Sequence, residues 1–78
     1  MENEIEIIKA IAEHLGLSPE DLDRKALLRE DLNLGPIELN DLLDHLSKKF
    51  EINLPPDEAE NLSKVEDIII LVEDNLIG

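Results

Sequence analysis

Three aliphatic stripes constrain this chain more than any other feature. In each, apolar residues recur at steps of three and four, the spacing that lines them along one side of a helix. Residues 3–15 carry Ile5, Ile8, Ile11, Ala12 and Leu15. Residues 36–50 carry Leu39, Leu42, Leu43, Leu46 and Phe50. Residues 64–76 carry Val65, Ile68, Ile69, Val72 and Leu76. Each helix then has one face that must leave water. A 78-residue chain offers little to cover it but the other two helices. The prediction is an all-α bundle forming one domain over residues 1–78.

Local signals mark the boundaries. Gly16 follows His14-Leu15 and stops the first helix. Ser18-Pro19-Glu20-Asp21 is a helix-start signal: the serine hydroxyl can accept a free backbone N–H, and proline suits the first helical position. Residues 22–34 lack a sustained period, so this signal opens only a turn or two within a long connection. Leu22, Leu27, Leu28, Leu32 and Leu34 would pin that connection to the core. Gly35-Pro36 begins the second long helix. Residues 52–56 are extended because residues before proline avoid the helical region, and a short acidic helix follows over 57–61. Ser63 and Glu66 match a capping box at the start of the last helix.

Charge narrows the choice of partners. Twenty acidic and seven basic residues give a net charge of −13. Such a field repels nucleic acids and anionic membranes and attracts basic protein surfaces. With no cysteine, disulfides, thiolate metal sites and cysteine nucleophiles are excluded. The start MENEIEII has no basic region and no long apolar run, and no segment has the length and apolarity of a membrane span. The expectation is a cytoplasmic monomer. His14 and His45 read as surface histidines, with Asp41 four residues before His45 and able to pair with it. Glu30-Asp31 and Asp57-Glu58-Glu60 offer at most loose cation contacts, because a calcium loop needs alternating oxygen ligands and a central glycine. No catalytic constellation, metal site or cofactor is expected.

The order of signals from residue 31 onward is more specific. Asp31-Leu32-Asn33-Leu34-Gly35-Pro36-Ile37 is followed by a helix ending in Lys48-Lys49-Phe50. Then come Leu54-Pro55-Pro56-Asp57-Glu58-Ala59-Glu60 and Leu62-Ser63-Lys64-Val65-Glu66-Asp67. This pattern resembles that of acyl and peptidyl carrier proteins. There, a D-L-G-x-D-S-L segment precedes an acidic helix, an extended step to proline, a D-E-E-A-E short helix and a T-V-x-D final helix. The resemblance implies a right-handed, mostly antiparallel four-helix bundle, with three longer helices, one short helix and a long first connection.

The resemblance also implies a 4′-phosphopantetheine arm on serine, but Pro36 stands at that position and Gly35 stands at the aspartate position. Proline has no hydroxyl to esterify. The remaining serines, Ser18, Ser47 and Ser63, read as two helix caps and one mid-helix residue. The chain is therefore expected to carry no arm and to act through protein–protein contact. The alternative is an acyl carrier in fatty-acid, lipid or polyketide biosynthesis with an atypical attachment site. Partner contacts are assigned to Ile37 as an apolar anchor and to Glu38, Asp41 and Asp44 as steering acids. Beyond them Ser47, Lys48 and Lys49 replace the acids usual in the family. Ile37, Leu42, Leu46, Ile52, Leu62 and Ile69 are assigned to an ordinary core in preference to an acyl-chain site.

Overall fold

A computed structural model describes residues 2–77. It contains three α-helices: α1 (Glu2–Leu15), α2 (Pro36–Phe50) and α3 (Val65–Ile77). Two 3-10 turns, Pro19–Asp21 and Pro56–Asn61, lie in the connections. The expected short fourth helix is thus a 3-10 segment, held at its end by Leu62 N–H on the Ala59 carbonyl. Among the described residues there is no strand, only an isolated antiparallel bridge between Leu27 and Lys64. The Cα radius of gyration, 11.2 Å, agrees with the roughly 11.5 Å expected of a compact chain this long.

The helices close on one aliphatic core. Ile7, Ile11, Leu42, Leu46, Val65, Ile68, Ile69 and Val72 are fully enclosed, and no polar or charged residue among the described ones is buried with them. The stripe of α1 is rotated from its expected position. Ile7, Ala10 and Ile11 form its buried centre, while Ile5 is 57% exposed. Residues 5–12 are apolar in two helical registers, and packing against α2 and α3 selects the one centred on Ile7 and Ile11.

The chain leaves α1 and α2 by the same device. Gly16 has φ +74°, Leu17 N–H donates to the Ala12 carbonyl at 2.8 Å, and Gly16 N–H donates to Glu13 at 3.2 Å. At the end of α2, Glu51 takes that left-handed position with φ 54°, and Ile52 N–H donates to the Ser47 carbonyl at 3.0 Å. These bonds satisfy carbonyls that a helix end leaves free.

The long connection is held by backbone bonds as well as leucines. Leu22, Leu28 and Leu34 are buried, and Leu27 and Leu32 are half-buried. Val65 N–H donates to the Ala26 carbonyl at 3.1 Å and Glu66 N–H donates to Arg24 at 2.8 Å. Leu28 N–H returns a bond to the Ser63 carbonyl at 2.9 Å. Carbonyls from the connection therefore satisfy free donors at the start of α3.

The Ser63–Glu66 capping box is replaced by an acid one residue further on. Asp67 Oδ2 accepts Ser63 N–H at 2.9 Å and Lys64 N–H at 3.0 Å. The helix starts at Val65, which makes Asp67 its third residue and puts its carboxylate within reach of the preceding backbone. These two bonds, Ser63 first, hold the Asp67 carboxyl below the usual carboxylate range, against a smaller opposing effect of burial. Ser18 likewise gives no side-chain cap; its carbonyl accepts Asp21 N–H at 2.9 Å.

Candidate functional site

Pro36 occupies the first position of α2, where its missing N–H removes no helical bond. Gly35 precedes it in extended conformation, and the Gly35 carbonyl accepts Leu39 N–H at 2.9 Å. Glu38 reaches back, so that Gly35 N–H donates to Glu38 Oε1 at 3.0 Å. A Cβ at residue 35 would stand 2.8 Å from that oxygen. Glycine here makes room for the carboxylate that caps the helix, and the negative charge suits the positive end of the helix dipole.

Ile37 is the next residue, and its side chain is 81% exposed, the most open of the large apolar residues described. It does not join the core with Leu42, Leu46 and Ile69, which are fully enclosed. Ile52 and Leu62 pack against the core from half-buried positions. Of the six residues assigned to the core, Ile37 alone points into solvent.

The three expected steering acids all have intramolecular partners. Glu38 caps its own helix. Asp41 Oδ2 lies 3.1 Å from His14 Nε2 of α1, not against His45. Asp44 pairs with Lys48 at 3.1 Å. The His14 and His45 rings stack with centroids 4.7 Å apart and 26° between planes, which draws His14 over α2 to Asp41. His45 Nε2 is buried and, among the described residues, meets no hydrogen-bond partner. Sequence spacing shows Asp41 and His45 as neighbours, but it contains no sign that α1 delivers His14 to the same place.

A half-open groove of about 390 Å³ lies beside Pro36 between α2 and the 56–61 turn. Leu39, Ala59 and Leu62 give it an apolar side, and Arg29, Asp57 and Glu60 give it charge. Among the described residues, no cluster of three or more His, Asp or Glu is placed to hold a metal ion. Asp31 is engaged locally, with its Oδ2 accepting Leu27 N–H at 2.8 Å.

This open helix start, on a core closed by three amphipathic helices, is the small helical architecture that the resemblance to carrier proteins implies. The comparisons agree. Residues 6–72 match the family described as "Phosphopantetheine attachment site". Proteins named "Acyl carrier protein" are similar along most of their length. The one from Chlamydia trachomatis is 33% identical over 96% of this chain and 95% of its own. The one from Buchnera aphidicola is 35% identical over 90% of each chain. The one from Exiguobacterium sibiricum is 33% identical over 88% of this chain and 87% of its own. The chain belongs to the phosphopantetheine-carrier family, whose members carry groups and do not catalyse reactions on them.

The family's arm needs a hydroxyl, and Pro36, within the matched span, has none. Residue 36 therefore does not fit the group. Ser47 Oγ is engaged inside α2, donating to the Asp44 carbonyl at 2.8 Å, whereas Ser18 and Ser63 are exposed.

Proposed function

We propose that this chain serves acyl-chain biosynthesis as an acyl-carrier-type protein that meets its protein partners through the start of α2. The names of its relatives support the biosynthetic role, and they favour it over a scaffold detached from that chemistry. The exposed Ile37, next to a position with no attachment chemistry, is the observation that carries the docking role. In this reading Ile37 is the apolar anchor. Glu38, Asp41 and Asp44 orient a partner with a basic surface, and the protein is a cytoplasmic monomer. Asp41 and Asp44 exchange their internal partners for the partner's cations. Exposed pairs of this kind contribute little to stability, so the exchange has a small energetic cost.

No pantetheine arm is assigned to Pro36. The competing reading, which the relatives' names also favour, is a carrier that bears its arm on another serine; Ser18 and Ser63 are the exposed candidates. Mass spectrometry separates the two after incubation with a broad-specificity phosphopantetheinyl transferase and coenzyme A. The unmodified reading expects no mass change. A gain of one arm, mapped to a serine by fragmentation, would establish the competing reading. The docking role is tested by immobilising the chain and its I37S variant with the condensing enzymes of acyl-chain synthesis. Equal retention by both would exclude Ile37 as the anchor.

A further inference from the structure

We propose that the outer face of α3 is a second docking surface, and that its occupant is a cationic amphipathic helix of a protein partner. The five-residue apolar run Ile68-Ile69-Ile70-Leu71-Val72 is longer than a one-sided helix can bury. Ile68, Ile69 and Val72 enter the core, and Ile70 is left 50% exposed. Residues three and four positions from it share its face. These are Glu66, Asp67, Glu73 and Asp74, so acids surround the exposed isoleucine on both sides. No lysine or arginine occurs between Val65 and Ile77. Beside Ile70 a shallow groove of about 230 Å³ opens between α3 and the 56–61 turn, with Leu62 and Leu71 in its wall and Glu58 and Asp74 at its edge.

Charge selects the occupant. On α2, three carboxylates are offset by Lys48 and Lys49, and each carboxylate has an internal partner. On α3 the Asp67 carboxylate is held by the Ser63 and Lys64 N–H groups, whereas Glu66, Glu73 and Asp74 have no basic residue of their own helix to meet, and among the described residues none of these acids forms a salt bridge with a cation. A second copy of this chain would bring the same acids against them, and anionic lipid or nucleic acid would be repelled as well. A helix with leucine-type anchors on one face and flanking lysine or arginine meets both features. One anchor enters the groove beside Ile70, and the cations reach Glu58, Glu73 and Asp74.

The test uses the full chain and a fluorescein-labelled, helix-forming peptide of leucine and lysine with leucines at helical spacing. A control peptide has the same composition with its leucines scattered. Anisotropy titrations should show the patterned peptide binding at least about tenfold more tightly than the control. I70S and D74K should each weaken it by about fivefold, as expected for losing half an isoleucine contact or reversing one flanking charge. Amide shifts should fall within residues 58–74. Equal binding of the two peptides would reduce the face to diffuse electrostatics. Indifference to I70S, or shifts confined to the start of α2, would overturn the proposal.

Discussion

Replacing Asp67 by alanine should loosen the start of α3, because its carboxylate holds the backbone just before the helix. The carboxylate accepts two backbone N–H groups, from Ser63 at 2.9 Å and Lys64 at 3.0 Å. Loss of a single capping acceptor costs about 0.5–2 kcal/mol. Two donors are affected here, and Asp67 is only half-buried, so water can solvate part of what is lost. The expected loss is about 1–2 kcal/mol, a melting temperature lower by roughly 5–15 °C for a domain of this size. The effect should also depend on pH. The Asp67 carboxyl is held below its ordinary value of 3.8, so its ionised form favours the folded state. That contribution is complete above the unfolded value and fades as pH falls through the depressed folded one. Thermal melts of wild type and D67N from pH 7 to pH 2.5 isolate it, because the two proteins differ only in this carboxyl. The gap should be largest near neutrality and close below pH 3.8. A constant gap, or a D67A loss below about 0.3 kcal/mol, would refute this role of the carboxylate.

The remaining predictions test other parts of the molecule. The P36S variant, treated with transferase and coenzyme A, should gain one arm by mass where the wild type gains none; failure to gain it would mean that more than the hydroxyl is missing at this helix start. L46A removes a fully enclosed side chain and should cost about 2–5 kcal/mol, a large share of the roughly 4–12 kcal/mol expected for a chain this long, read by urea denaturation. E51G relieves a left-handed backbone at φ 54° and should raise stability by about 0.5–1 kcal/mol in the same assay. Raising sodium chloride from 20 mM to 0.5 M shortens the screening length from roughly 20 Å to roughly 4 Å, which should raise the melting temperature of a chain with net charge −13.

The sequence alone determined the three helices, their order and most of their boundaries. Those features depend on contacts within a few residues: the steps between leucines in 39–46, the glycine after Leu15, and the prolines at 36 and 55–56. It also determined that residue 36 has no hydroxyl, since that is a matter of covalent structure. Tertiary structure decided which of two apolar registers in α1 is buried, because only α2 and α3 distinguish Ile7 from Ile5. It decided that Asp67, not Glu66, caps α3, because the bonds that Val65 and Glu66 N–H donate to the Ala26 and Arg24 carbonyls set where that helix begins. It placed His14 against Asp41, 27 residues away, where spacing pointed to His45. In each case the deciding atoms come from another element, and their approach depends on how the helices pack, which short-range spacing does not encode.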